Sequence, residues 1–130
     1  MQVIRSALSL NVPDPRASAG FVSRHFGFQA EMSFEFMVSL TREDVPFNLI
    51  YLKTGLPTFK PASHAGSAGP GLLVVFVVDD IDRQYARLQA EGAAVVTPIE
   101  TEPWGERYFQ VEDPNGVIFQ LVQWVTEPGA

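Results

Sequence analysis

The stretch that decides the fold, Trp104–Gln123, reads WGERYFQVEDPNGVIFQLVQ. Residues 113–116, Asp-Pro-Asn-Gly, predict a type I turn followed by a glycine in the left-handed conformation, which gives a three-residue hairpin loop with a bulge. Counting back from this turn pairs Gln110 with Gln120. The stretch is therefore predicted to be a β-hairpin whose turn sets the register of its two strands.

That register divides the hairpin side chains between two faces. One face collects Phe109, Val111, Phe119 and Leu121, an apolar set suited to packing under a helix. The other collects Tyr108, Gln110, Glu112, Ile118, Gln120, Val122 and Trp124. A face of this mixed kind is either a solvated outer face or one wall of a partly dry cleft that holds a ligand. The aromatic side chains favour the cleft, because on a solvated face they would leave a large apolar patch.

Length and composition limit the kind of protein. A chain of 130 residues, 46% hydrophobic and 18% charged, has the size and composition of one compact globular domain. The first residues lack the pattern of a secretory signal, and the longest apolar run, Leu72–Val78, is too short to cross a bilayer. We therefore expect a single domain, residues 1–130, that resides in the cytoplasm and has no membrane partner.

Charge and cysteine content exclude several function classes. The sequence contains no cysteine, so disulfides, thiolate metal sites and cysteine nucleophiles are ruled out. A formal net charge of −6 argues against nucleic acid as a partner, since nucleic-acid binding needs a basic surface. The negative charge would attract a cationic ligand, although acidity also serves simply to keep a small domain soluble.

The chain repeats one order of elements. A strand with alternating apolar residues ends near Val12, and Asp14 starts a helix that is followed by three strands. After a loop at residues 54–71, rich in Gly, Pro, Ser and Ala, the same order returns with a helix capped by Asp79 or Asp80. We predict an α+β protein with two βαβββ modules, at about 1–54 and 72–126. The modules are expected to form a curved mixed sheet with helices outside and a cleft inside.

Three stretches resemble the vicinal oxygen chelate superfamily, which includes glyoxalase I, extradiol dioxygenases, fosfomycin resistance enzymes and bleomycin resistance proteins. They are VPDPRASAGFVSRHFGFQ at 12–29, VVFVVDDIDRQYARLQAEGA at 74–93 and EDPNGVIFQLVQ at 112–123. The resemblance covers nearly the whole chain and implies the two-module fold.

The resemblance also implies where a metal would be held, because enzymes of this superfamily place two histidines and a glutamate on the cleft strands. These positions fall on Ala7, Leu73 and Gln120. Alanine and leucine donate nothing to a metal ion and Gln120 is neutral, so we expect no metal and no other cofactor. An atypical site that uses Glu31, Glu35 or Glu112 is the alternative.

The two histidines lie away from these positions. His25 is expected to be a partly buried residue of the first helix beside Phe26. His64 lies in the glycine-rich loop and is expected to be solvated, or else to close over the cleft.

A second, narrower resemblance is carried by PWGERYFQ at 103–110. Its Trp-Gly-x-Arg pattern is similar to that of bleomycin resistance and mitomycin-binding relatives, which implies a metal-free homodimer that sequesters a small molecule. Trp104 either offers a stacking surface to a ligand or packs over the end of the sheet. Arg107 offers a planar cation for a ligand or an ion pair with Glu106, Glu112 or a carboxylate of a second subunit.

These observations lead to three hypotheses. The first is a homodimeric protein that binds a planar or aromatic, antibiotic-type small molecule through Trp104, Arg107, Tyr108, Gln110, Gln120, Phe36, Phe59 and Trp124. The second is a lyase, isomerase or dioxygenase with a displaced metal site, or with metal-free acid–base catalysis by Glu112 or Tyr108. The third is an association domain whose cleft is filled by side chains such as Leu73 and Val75.

Overall fold

The structure, a computed structural model, describes residues 1–125. The predicted end of the second module at residue 126 lies just outside that range. The elements are β1 (Ala7–Val12), α1 (Pro15–Phe26), β2 (Gln29–Phe34), β3 (Met37–Thr41), β4 (Asn48–Lys53), a 3₁₀ turn (Ala62–His64), β5 (Leu73–Val77), α2 (Ile81–Ala90), β6 (Ala94–Thr101), β7 (Glu106–Glu112) and β8 (Ile118–Trp124). The predicted α+β class with two βαβββ modules is confirmed.

Both modules arrange their strands in the same way. The sheet of the first module has the order β1-β4-β3-β2, and the sheet of the second has the order β5-β8-β7-β6. In each sheet the first and last strands of the module pair in parallel, and the remaining neighbours are antiparallel. The chain divides into two compact units, Met1–Pro70 and Gly71–Ala130, which are described separately below as the first and second modules.

The two helices begin with the same device. The side chain of Asp14 accepts a hydrogen bond from Ala17 N at 3.2 Å, and that of Asp80 accepts one from Arg83 N at 3.4 Å. Each aspartate thereby satisfies one of the amide groups that a helix leaves unpaired in its first turn. Asp80 has φ 47° and ψ 59°, in the left-handed region that non-glycine residues rarely occupy.

The core of the first module lies between α1 and one face of its sheet. Val22 is fully buried on α1, and His25 is also buried, with its ring edge-on to Phe21 at 4.9 Å between centroids. The sheet contributes buried apolar side chains from three strands: Leu10, Val12, Val38, Leu40, Leu49 and Tyr51. His25 is therefore a buried helix residue with an aromatic neighbour, as expected, although the neighbour is Phe21.

The core of the second module lies between α2 and the predicted apolar face of the hairpin. Phe109, Val111, Phe119 and Leu121 are all buried. Tyr85 of α2 meets Phe109 edge-on, with ring centroids 4.9 Å apart. The opposite face of this sheet, and the corresponding face of the first sheet, are called the helix-free faces below.

The hairpin turn adopts the predicted geometry. Asp113 N donates to Val117 O at 2.9 Å, and Gly116 has φ 87°. The buried carboxylate of Asp113 accepts hydrogen bonds from Asn115 N at 2.9 Å and Val117 N at 2.8 Å. The observed pairing of Gln110 with Gln120, Tyr108 with Val122 and Val111 with Phe119 confirms the register derived from the turn.

No helix within residues 1–125 has both the length and the apolar character needed to span a membrane.

Candidate functional site

The helix-free face of the second sheet consists of three rows of side chains that run across the four strands. Because paired residues of neighbouring strands point to the same face, the register defines the rows. The rows are Leu73–Ile118–Glu112–Ala94, Val75–Gln120–Gln110–Thr97 and Val77–Val122–Tyr108–Glu100. Each row starts with an apolar residue on β5 and reaches polar residues on β7, so the face is apolar at one edge and polar towards the other.

The middle row contains a chain of side-chain hydrogen bonds. Thr97 Oγ1 donates to Gln110 Oε1 at 2.6 Å, and Gln110 Nε2 donates to Gln120 Oε1 at 2.7 Å. Gln120 is only 9% exposed. Within residues 1–125 no acceptor lies within hydrogen-bond distance of its Nε2. The chain therefore ends in a largely buried residue whose accessible amide nitrogen can donate two hydrogen bonds to a ligand.

The apolar edge of this face is accessible. Leu73, Val75 and Val77 of β5 are 45%, 45% and 68% exposed. Val75 is the register partner of Gln120, so the free amide lies beside the apolar strip. An apolar surface with one directed donor beside it is the usual composition of a small-molecule site. Because Leu73, Val75 and Val77 are accessible, they do not fill a cleft in the way that the association hypothesis expected.

Tyr108 is held between two carboxylates. Its hydroxyl lies 2.7 Å from Glu100 Oε1 and 2.9 Å from Glu102 Oε1, and its single proton is donated to one of them at a time. The hydrogen bond to Glu100, and then that to Glu102, raises the pKa of Tyr108 well above its ordinary value. The phenol is therefore protonated at every physiological pH.

Both tryptophans belong to the second module. Trp104 is 60% exposed in the turn that precedes β7, with Nε1 at 3.4 Å from Glu106 Oε1. Trp124 is the register partner of Glu106, on the same face as Tyr108 and Gln110. The predicted placement of Trp124 is confirmed, and Trp104 presents an exposed indole to solvent.

Arg107 requires a correction. The sequence made Arg107 a candidate ligand-binding residue, but β7 begins at Glu106, and alternation along the strand turns Arg107 to the face covered by α2. There its Nη2 lies 2.6 Å from Asp82 Oδ1 in the first turn of α2. Asp82 was not among the ion-pair partners expected for Arg107. We therefore remove Arg107 from the candidate ligand-binding residues.

Phe36 and Phe59 belong to the first module. Phe36 lies in the turn between β2 and β3, and its ring stacks on that of Phe34 with centroids 6.0 Å apart and planes 13° apart. Phe59 lies in the long loop and lines a cavity above the helix-free face of the first sheet, together with His64. The ring of His64 remains exposed, but its backbone carbonyl bonds to a β1 side chain, so the loop closes over β1.

The residues at the implied metal positions do not fit a metal ion. Ala7 begins β1 and Leu73 begins β5, and neither side chain has a donor atom. The amide oxygen of Gln120 already accepts a hydrogen bond from Gln110. A catalytic divalent metal needs about three nitrogen or carboxylate ligands from the protein. Within residues 1–125 no three His, Asp or Glu side chains converge to provide them elsewhere.

Three polar residues of the face were missed by the sequence interpretation: Thr97, Glu100 and Glu102. No candidate residue was expected on β6, which runs from Ala94 through Pro98 to Thr101. Proline is tolerated there because β6 is the edge strand of its sheet. Irregular pairing between Val95 and Thr97, and between Thr97 and Glu100, also hides the face of each residue from simple alternation. The only available signal was the concentration of polar residues in the stretch 97–102, Thr-Pro-Ile-Glu-Thr-Glu.

Residues 5–121 match the model of the Glyoxalase/Bleomycin resistance protein/Dioxygenase superfamily. The chain belongs to this superfamily, which confirms the resemblance described from the sequence.

Relatives in sequence include uncharacterized proteins of Mycobacterium bovis and Mycobacterium tuberculosis. Each is 39% identical over 68 residues, or 52% of this chain. The matched segment covers 45% of the first relative and 40% of the second, so it spans less than half of their length.

Several solved structures share the fold. TioX from Micromonospora sp. ML1 is 23% identical, with a TM-score of 0.70 over 94% of this chain and 99% of that one. A glyoxalase/bleomycin resistance protein/dioxygenase from Nocardioides is 21% identical, with a TM-score of 0.75 over 100% and 90% of the two chains. Lactoylglutathione lyase from Agrobacterium tumefaciens is 19% identical, with a TM-score of 0.73 over 95% and 94%. At these identities the likeness concerns the fold.

Proposed function

We propose that this protein binds a planar or aromatic small molecule, of the kind represented by aromatic antibiotics, on the helix-free face of its second module. It does so as a homodimer and without a metal. The observation that carries the proposal is the free amide of Gln120, which lies beside the exposed apolar strip of β5. In this proposal the amide donates to a carbonyl or ring nitrogen of the ligand, and the strip contacts its apolar surface.

Trp104 supports an aromatic ligand. Its indole is 60% exposed, and a large exposed aromatic side chain commonly marks a surface where another molecule binds. Glu102 and Glu106 lie within two residues of Trp104 in the sequence. Glu100 is held nearby by the hydrogen bond that it accepts from the Tyr108 hydroxyl. These carboxylates favour a ligand that carries a positive charge, in agreement with the net charge of −6.

A titration followed by tryptophan fluorescence tests the proposal. The chain contains two tryptophans, so replacement of Trp104 leaves Trp124 as a reporter. Bleomycin, mitomycin C and a quinoxaline would be titrated into the wild-type protein and into Trp104→Leu. We expect saturable quenching by at least one compound, and binding weaker by about tenfold in the variant, because one stacking contact is lost.

Arg107→Lys is the matched control, because Arg107 lies on the face covered by α2. It should bind the same compound with unchanged affinity. If none of the three compounds gives a saturable change at millimolar concentrations, the proposed ligand class is wrong. If Arg107→Lys weakens binding as much as Trp104→Leu does, the proposed face is wrong.

The proposed homodimer is tested by a separate measurement. Native mass spectrometry of the purified protein would report the subunit number together with any bound metal or carried-over ligand. A dimer free of stoichiometric metal agrees with the proposal. A monomer contradicts the homodimer, and a stoichiometric transition metal contradicts metal-free binding.

An enzymatic function is the second candidate, and Tyr108 is the residue that favours it. A phenol kept protonated beside two carboxylates can act as a general acid or as a hydrogen-bond donor to a developing oxyanion. A buried carboxylate beside Arg107 would have strengthened this candidate, but Asp82 is exposed. An assay for lactoylglutathione lyase activity, with and without added Zn²⁺, tests it: activity abolished in Tyr108→Phe would favour the enzyme.

A further inference from the structure

The long loop of the first module folds back over β1. Gly55 N donates to Ala65 O at 2.8 Å, which closes the loop on itself. Two further hydrogen bonds attach it to one strand residue: Asn11 Nδ2 donates to His64 O at 2.8 Å, and Ala68 N donates to Asn11 O at 2.9 Å. The loop is therefore fixed above the end of β1, on the helix-free face of the first sheet.

A cavity of about 450 Å³ remains between this loop and the strand. It is lined by Ser9, Asn11, Phe59, Ser63, His64, Gly66, Ser67, Ala68 and Gly69. All of these residues belong to the first module. The volume lies within the range of sites that hold small organic molecules.

Asn11 is the residue that indicates a ligand. It is only 8% exposed, and its Nδ2 is used to hold the loop. Within residues 1–125 no donor lies within hydrogen-bond distance of its Oδ1, although the residue lines the cavity. Because the residue is largely buried but this oxygen remains accessible, Oδ1 is positioned to accept a hydrogen bond from an N–H or O–H group of a molecule in the cavity.

The other lining residues restrict the class of that molecule. The lining contains no Lys, Arg, Asp or Glu, so no permanently charged side chain compensates a charge on the ligand. Ser9 and Ser67 provide hydroxyl groups, and Ser63 Oγ lies 3.1 Å from His64 Nδ1. Hydroxyls of a ligand both donate and accept, which matches such a lining. The ring of Phe59 offers a flat apolar surface.

We infer that this cavity binds an uncharged polyol with an apolar face, such as a pyranose, whose hydroxyl donates to Asn11 Oδ1 while its C–H face lies on Phe59. The inference concerns the first module alone and goes beyond the function proposed for the second.

Nuclear magnetic resonance of the uniformly ¹⁵N-labelled full chain tests the inference. The probes are methyl β-glucopyranoside, its carboxylate analogue methyl glucuronide and its ammonium analogue methyl glucosaminide. We expect saturable shifts of the Asn11 side-chain amide and the Ala68 backbone amide with the neutral glucoside. Both charged analogues should bind about tenfold more weakly or worse, because their charge is left uncompensated.

Two variants and one control test whether Asn11 and Ser9 bind the glucoside. Asn11→Leu and Ser9→Ala should each weaken glucoside binding, the first by about tenfold. Asn48→Leu is the matched control, because Asn48 lies at the start of β4 with its side chain bonded to Glu31 and takes no part in the lining. The Asn48→Leu variant should bind the glucoside with the affinity of the wild-type protein. Should Asn11→Leu not fold, Ser9→Ala and the wild-type shifts still decide the question.

Three results would overturn the inference. One is the absence of saturable shifts at Asn11 and Ala68 with the glucoside at millimolar concentrations. Another is equal binding of the neutral and charged probes. The third is a loss of affinity in Asn48→Leu as large as that in Asn11→Leu.

Discussion

Gln110 Nε2 donates a hydrogen bond to Gln120 Oε1 across 2.7 Å, and this contact determines which polar atoms of the second helix-free face are left for a ligand. Because the oxygen of Gln120 is occupied by Gln110, its nitrogen is the group that is free. A position where metal enzymes of the superfamily carry an anionic ligand thus presents hydrogen-bond donors in this protein.

The first prediction concerns that pair. Gln110→Leu leaves the largely buried oxygen of Gln120 without its donor, so the free energy of unfolding should fall by about 1–3 kcal/mol. Gln110→Leu combined with Gln120→Leu removes both partners and should recover part of the loss. Urea denaturation of the two single variants and the double variant measures the coupling, and strictly additive effects would contradict the contact.

The second prediction concerns the pair formed by Arg107 and Asp82. The hydrogen bond from Arg107 lowers the pKa of Asp82 below its ordinary value. The pair therefore stabilises the folded protein above pH of about 4, and this contribution is lost as the pH falls through the lowered value. Thermal unfolding followed from neutral to acid pH should show a shallower decline for Asp82→Asn. The effect is small because the pair is exposed.

The third prediction concerns the stability of the folded protein at alkaline pH and the role of Tyr108. Because Glu100 and Glu102 raise the pKa of Tyr108, its hydrogen bonds stabilise the fold fully below the unfolded-state pKa of about 10. The contribution is then lost as the pH rises towards the folded-state value. Tyr108→Phe should therefore lose less stability than the wild type between neutral and strongly alkaline pH. Identical alkaline profiles for the two proteins would argue against the two hydrogen bonds.

The fourth prediction compares the two helix caps. At Asp14, which has an extended backbone, replacement by alanine should cost about 1 kcal/mol and replacement by glycine only a few tenths. At Asp80, alanine must also adopt the left-handed conformation, which adds roughly 1–2 kcal/mol that glycine does not incur. The difference between the alanine and glycine variants should therefore be larger at Asp80 than at Asp14. Chemical denaturation of the four variants measures it, and equal differences would contradict the left-handed backbone.

The fifth prediction separates the two faces of the hairpin. Phe109 is fully buried beneath Tyr85, so Phe109→Ala should lower the free energy of unfolding by about 3–5 kcal/mol. Trp104 is a larger side chain but 60% exposed, and Trp104→Ala should change stability by less than about 0.5 kcal/mol. A destabilisation of Trp104→Ala as large as that of Phe109→Ala would mean that Trp104 serves packing.

Most of the fold could be predicted from short-range signals in the sequence. The Asp-Pro-Asn-Gly turn is a short-range feature, and the register it implied placed Phe109 in the core and Gln110 opposite Gln120, as observed. Asp14 and Asp80 likewise marked the helix starts, because a capping side chain acts within three residues.

The parts that sequence did not predict depend on distant contacts or on irregular pairing. The attachment of the loop to β1 joins Asn11 to His64, 53 residues apart, and no local pattern specifies such a contact. Thr97 joins the amide chain because the register of β6 shifts after Val95, so that Thr97 rather than Val96 pairs with Gln110. Arg107 points to α2 rather than to the candidate site because β7 begins at Glu106, one residue before it, and alternation along the strand then fixes its face. A single residue of strand length therefore decided whether an arginine belonged to the candidate site.

The same Pro98 gives the second sheet two unlike edges. Proline offers no amide hydrogen, and bulges twist an edge away from a flat template, so β6 is a poor surface for the addition of another strand. The opposite edge, β5, pairs with β8 in unbroken register and contains no proline. Growth of this sheet by intermolecular strand addition, whether functional or as the first step of aggregation, is thus directed to β5 alone.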